Sequence, residues 1–225
     1  DYSQVELRIL AHFSGDEPLV QAFNEGIDVH KQTASVVFGI PLDRVTSEQR
    51  GQAKTINFAT LYGQGAFSLA RQLGVGREEA KVFIDQYFER FSGVRAYLDE
   101  QVASARERGF VETLMGRRRH IPELQAKNWN VSQFGERVAQ NTPIQGTAAD
   151  MIKKAMLDVM GALAEVDTGA RLLLQVHDEL LFEVPRGEEE DLAELVVSAM
   201  EGAMELSVPL VVEGVVGESW FETKG

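Results

Sequence analysis

The sequence predicts an α+β fold, in which an antiparallel sheet with covering helices is joined to a mostly helical region. Two observations carry this. The middle of the 225-residue chain reads almost throughout as amphipathic helix, punctuated by Gly26, Gly39, Gly74 and Gly76. The last part has another rhythm. Two apolar runs, 171–176 (RLLLQV) and 180–184 (LLFEV), flank His177-Asp178-Glu179 as a hairpin would.

Taken in order, residues 1–16 (DYSQVELRILAHFSGD) begin extended and become helical, with Val5, Ile9 and Leu10 facing inward. Asp16-Glu17-Pro18 is a helix start and Gly26 a stop, and a short helix follows over 30–38. Thr46 or Ser47 caps a central helix that carries residues 50–63 (RGQAKTINFATLYG). Helices over 77–91 and 93–108 come next, then a strand over 110–115 and a turn at GRRRH (116–120). A long helix over 131–164 should bend or break at Pro143 and Gly146. After the hairpin, 187–206 reads as an amphipathic helix with Leu192, Val196, Ala199, Met200 and Ala203 on one face, and 210–216 as a last strand.

Composition narrows the function classes. No apolar run approaches 18 residues and no signal-peptide pattern opens the chain. With no cysteine and four histidines, a bound metal would be held by carboxylates, which favours hard cations such as Mg²⁺. A net charge of −13 argues against a protein that coats nucleic acid by bulk electrostatics. The acidity is uneven, however. Residues 1–135 hold 16 basic and 17 acidic side chains, and residues 136–225 hold 6 and 18. The first part can therefore offer locally basic surfaces.

Three patterns carry chemistry. On the central helix, Arg50, Lys54 and Phe58 recur every four residues, with Tyr62 next in line. Two cations followed by two aromatics suit a nucleoside triphosphate, phosphates against the cations and base against a ring. A helix with Phe58 in the core and the cations in solvent fits the same pattern. At the hairpin tip, Asp178 could join Asp1 in bridging two Mg²⁺ ions for phosphoryl transfer, although a solvated turn also explains the tip. On the long helix, Arg137, Asn141 and Gln145 form a second i, i+4, i+8 stripe suited to duplex backbone or minor-groove acceptors, or to plain solvent.

Together these stretches resemble the motifs of the family-A DNA polymerases over essentially the whole chain. Residues 1–8 (DYSQVELR) are similar to motif A, with Val5 where Ile is common. Arg50, Lys54, Phe58, Tyr62 and Gly63 match motif B in order and spacing, and 175–183 (QVHDELLFE) is similar to motif C. The resemblance implies a palm from residues 1–12 and 131–225 and fingers from 13–130. It implies Asp1, Asp178, Glu179 and Lys54 as catalytic residues, with Asp1, Asp178 and the Tyr2 carbonyl holding two Mg²⁺ ions. Gln4, Glu6, His30, Arg50, Lys54, Phe58 and Tyr62 would bind the dNTP, Glu6 as the gate against a ribose 2′-OH. Arg137, Asn141, Gln145 and His177 would contact primer–template DNA. The expected protein is a cytoplasmic, monomeric, template-directed DNA polymerase with no membrane partner. A relative specialised for RNA templates or lesion bypass, or an inactive nucleotide- or DNA-binding remnant, would show similar motifs. The chain opens on motif A without Met, which suggests a fragment. Lacking the upstream thumb and palm strands of the family, it should bind primer–template poorly and extend it little by itself.

Overall fold

The coordinates, a computed structural model, describe residues 1–224. The chain forms nine α-helices and two short antiparallel ribbons among these residues. Helix α1 (Val5–Ser14) follows a three-residue extended start, and α2 (Glu17–Asn24), α3 (Val29–Phe38) and α4 (Ser47–Leu61) follow it. Each of the last three begins where a side chain satisfies the free N–H groups of its first turn. Asp16 accepts from Leu19 N at 3.1 Å, and Asp28 from His30 N at 2.9 Å and Lys31 N at 3.1 Å. Thr46 and Gln49 form a reciprocal capping box on α4, at 3.2 and 3.0 Å. Helices α5 (Ala66–Leu73), α6 (Arg77–Arg90) and α7 (Ser92–Arg108) complete the helical region. The other carboxylate oxygen of Asp16 accepts from Gly93 N at 2.8 Å and so ties α2 to α7.

Ribbon β1 (Phe110–Glu112)–β2 (Arg118–His120) leads into the 36-residue α8 (Trp129–Ala164). Ribbon β3 (Arg171–Val176)–β4 (Glu179–Glu183) and α9 (Glu189–Glu201) close the fold. One continuous core runs from Leu7, Ile9 and Leu10 of α1 through Ile56 and Leu61 of α4 and Tyr87 of α6. It continues to Ile144, Met151 and Val159 of α8 and Met200 of α9. Burial of this apolar surface joins α4 to the extended start of the chain, at about 25 cal/mol per Å². Among the described residues no helix is long and apolar enough to cross a membrane.

Four sequence expectations need correction. The GRRRH stretch supplies a strand, β2, instead of a turn. Its charges are held in register by a cross-strand pair between Arg118 and Glu112 at 2.7 Å, and by the Arg108 and Arg118 guanidinium groups over Phe110. Helix α8 runs unbroken past Pro143 and Gly146. One missing N–H is outweighed by burial of Val138, Ala139, Ile144 and Met151 along the helix, and Gly146 lets Thr113 approach where a Cβ would meet it at 2.6 Å. Residues 210–216 form no strand, only a bridge between Tyr2 and Val212. Their partner segment is three residues long before it turns into α1, so no ladder can extend. Finally, α9 stops at Glu201, because the chain then departs to bury Val208, Leu210 and Val212.

Candidate active site

Residues 1–3 lie between two other segments. Tyr2 N donates to Asp178 O at 3.2 Å on one side, and Ser3 N donates to Val211 O at 2.8 Å on the other. Glu213 N donates to Asp1 O, also at 2.8 Å. The Tyr2 ring is buried and its hydroxyl donates to Met200 O at 2.6 Å. Arg8, only 7% exposed, locks the arrangement. Its Nε donates to Ser3 O at 2.8 Å, Nη1 donates to Pro209 O at 2.6 Å, and its guanidinium lies 4.6 Å from the Phe23 ring centroid. Three stretches distant in sequence are thereby held by backbone pairing, and Asp1 and Asp178 come to line one cleft of about 360 Å³.

The hairpin presents Asp178 through a two-residue turn. Val176 pairs with Glu179, and His177 takes a left-handed backbone (φ 55°), as the tight turns joining twisted strands demand. Gln175 Nε2 donates to His177 O at 2.6 Å across it. The His177 side chain is exposed at the tip. The Glu179 carboxylate accepts from Trp220 Nε1 at 2.9 Å and does not line the cleft.

Helix α4 supplies the opposite wall, where Arg50, Lys54 and Phe58 line the cleft with His30 of α3. Arg50 Nε donates to Asp28 Oδ2 at 2.6 Å. Burial pushes the Asp28 carboxyl up, but the hydrogen bonds from Arg50 and Lys31 N outweigh it and hold it below the usual range. His30 is 2% exposed, and its Nδ1 lies 2.7 Å from Asn57 Nδ2. Burial first, then the Arg50 and Lys54 charges, push its pKa down to about 4 against the pull of Asp28. The ring is neutral at pH 7.

Tyr62 stands just past the end of α4, stacked on Phe58 with ring centroids 6.1 Å apart. Its hydroxyl donates to the Glu6 carboxylate. Burial raises the Glu6 pKa, the Tyr62 bond opposes this, and the Asp178 charge adds to it. Burial and the neighbouring Glu6 carboxylate likewise push the Tyr62 hydroxyl up. Gly63 (φ +64°) then lets α8 approach, since a Cβ there would meet Gln140 Oε1 at 2.6 Å and Arg137 Cγ at 3.3 Å. Asn141 Nδ2 reaches Tyr62 O at 3.5 Å, and Gln145 lies one turn further along the same face of α8. The stripe of Arg137, Asn141 and Gln145 thus flanks Tyr62 on the rim and does not line the cleft.

The floor is anionic and the wall cationic. Asp1, Asp178, Glu6 and Glu213 contribute carboxylates, and Arg50 and Lys54 face them with Gln4, whose Oε1 is buried without a partner among the described residues. A polyanion could lie along the wall only if cations neutralised the floor. No group of three or more His, Asp or Glu side chains among the described residues is close enough to hold a metal. The donor set still suits a hard cation, because Asp1 and Asp178 offer carboxylates and the Tyr2 carbonyl accepts no hydrogen bond among the described residues. Sequence reasoning missed Arg8, Asp28, Asn57 and Glu213. An aspartate two residues before His30 was a readable helix-cap signal, and an arginine within the apolar run of α1 was a readable oddity. Nothing local marked Glu213.

Comparison with known proteins identifies the family. Residues 1–222 match the family model described as DNA polymerase family A. The chain is 53% identical over 224 residues to DNA polymerase I of Bacillus subtilis, covering all of this chain and 26% of that protein. It is 51% identical to the thermostable DNA polymerase I of Thermus thermophilus, covering 27% of it. The chain therefore spans about a quarter of the length of these relatives. A solved structure of the polymerase domain of Pol1 from M. smegmatis, in complex with DNA primer-template and dNTP, superposes with a TM-score of 0.96 at 48% identity. The match covers all of this chain and 40% of that one.

Proposed function

The chain belongs to DNA polymerase family A, and on that premise we propose that it carries the nucleotide-adding centre of a template-directed DNA polymerase. In this reaction a primer 3′-oxygen forms a bond to the α-phosphorus of a dNTP, the α–β bridging bond breaks, and pyrophosphate leaves. The observation that carries the reading is the single cleft in which Asp1 and Asp178 face Arg50, Lys54 and Phe58.

Each residue has a role that its surroundings support. Arg50 grips phosphate oxygens with the guanidinium nitrogens that Asp28 leaves open. Lys54, exposed on the same wall, neutralises charge and gives a proton to the departing pyrophosphate. Phe58 and Tyr62 provide stacked ring faces at the base end. Glu6, held by Tyr62 beside the cleft floor, would exclude a ribose 2′-OH and so select deoxynucleotides. Asp1 and Asp178, with the Tyr2 carbonyl, would hold two Mg²⁺ ions. Such ions supply activation of the attacking oxygen and charge stabilisation at the leaving group. Glu179 would act as an accessory carboxylate from outside the cleft. Arg137, Asn141, Gln145 and His177 lie on exposed or half-buried surface beside Tyr62 and the hairpin tip, positions suited to primer–template contact. Residues 1–12 and 131–225 correspond to palm and 13–130 to fingers, in a monomeric cytoplasmic enzyme.

Single-nucleotide incorporation by the full-length protein with Mg²⁺ tests the proposal. Asp1→Ala should abolish turnover while leaving the circular dichroism spectrum and unfolding midpoint near those of the unaltered protein. Near-normal rates in that variant would refute the assignment.

A further inference from the structure

Behind the cationic wall, α3 and α4 meet through three buried polar side chains. Thr33 and Asn57 are both fully buried, and His30 is nearly so. The Thr33 hydroxyl lies 2.8 Å from Asn57 Oδ1, and Asn57 Nδ2 lies 2.7 Å from His30 Nδ1. We propose that Thr33 and Asn57 are positioning residues that lock His30 in its Nε2–H tautomer, so that it presents one neutral donor to a phosphate oxygen of the bound nucleotide. This rests on reading the cleft as a triphosphate site.

The direction of the relay follows from satisfying each hydrogen once. The Thr33 hydroxyl has one acceptor among the described residues, Asn57 Oδ1. Turning the Asn57 amide over would set its NH₂ against that hydroxyl and leave a buried O–H hydrogen without an acceptor. Asn57 therefore points its oxygen at Thr33 and its nitrogen at His30. An amide nitrogen only donates, so Nδ1 must accept, and the single ring proton resides on Nε2. Protonating Nδ1 would set two donors face to face, which reinforces the neutral state already favoured by burial. The ring lines the cleft and tilts against Phe58 with centroids 6.2 Å apart.

The chemical gain is directional. Arg50 and Lys54 already supply positive charge to this wall. A third cation would bind product pyrophosphate as tightly as substrate, whereas a neutral N–H adds orientation without adding charge.

The test uses full-length protein with ¹⁵N-labelled histidine. At pH 7 the His30 ring should show an unprotonated Nδ1 and a protonated Nε2, and Thr33→Ser should preserve that pattern. Thr33→Val changes no charge and removes the bias on the amide, so both tautomers should appear. Its KM for dNTP should rise about twofold with kcat unchanged, the size expected when about half of the rings keep the competent tautomer. Asn57→Asp should transfer the proton to Nδ1 and raise KM further. An Nδ1–H tautomer in the unaltered protein would overturn the proposal, and so would a tautomer change that leaves KM untouched. Failure of the unaltered protein to incorporate any nucleotide would instead sink the reading of the cleft, and the ring shifts would still report on the relay.

Discussion

The two sides of the cleft are built by different means. The floor holds Asp1 and Asp178 through backbone bonds among residues 1–3, the hairpin tip and residues 211–213, with buried Arg8 bracing them. The wall holds its functional groups through side chains: Arg50 on Asp28, His30 on Asn57, Tyr62 on Glu6. Backbone pairing fixes positions that a substrate cannot easily alter. Side-chain bonds can be exchanged for bonds to a ligand, so the wall can rearrange on binding while the floor stays in place.

This contrast can be broken by experiment, most severely at the floor. Asp178→Ala should lower kcat by about a thousandfold or more, since charge stabilisation at the reacting phosphate is lost, and rapid-quench incorporation measures it. Arg8→Met leaves the Ser3 and Pro209 carbonyls without their donor, and urea unfolding should show about 3 kcal/mol of lost stability. On the wall, acidification separates folding from chemistry. The folded His30 pKa of about 4 lies below the unfolded value near 6.5. The unfolded chain therefore takes up this proton first, and the stability that His30 contributes is complete above pH 6.5 and drains away as pH falls towards 4. Replacing His30 with Gln should flatten that part of the pH–stability curve.

Smaller effects are expected where one wall bond is exchanged. Tyr62→Phe removes the donor to Glu6, and discrimination against ribonucleotides should fall about tenfold in competitive incorporation assays. Asp28→Asn keeps a good cap on α3 and loses only a half-exposed ion pair. Unfolding free energy should change by less than about 1 kcal/mol, and KM for dNTP should fall about twofold as Arg50 is released. A large stability loss there would show that the wall is as rigid as the floor.

The wall was more legible in the sequence than the floor. Local spacing placed Arg50, Lys54 and Phe58 on one face, and Thr46 or Ser47 marked where α4 begins. The α+β class was equally readable, from helical periodicity followed by a hairpin. By contrast, the meeting of Asp1 with Asp178 depends on pairings between residues some 175 to 210 positions apart, which no local pattern encodes. The same blindness produced a strand at 210–216, where β-branched apolar runs are present but the partner is only three residues long. It also hid β2, whose exposed arginines are held by Glu112 and Phe110 and not by a core.

Gln4 and His177 are the two non-glycine residues with positive φ among the described residues, and they flank the carboxylates of the floor. A left-handed backbone at an ordinary residue costs roughly 1 kcal/mol that glycine would avoid. Both positions are therefore places where the fold is less stable than its own topology permits. Glycine at either would relax the chain and erase the side chain together. The chain thus keeps two small spring-loaded joints beside its carboxylates, and a thermostabilised variant that released them would hold its shape longer while doing less with it.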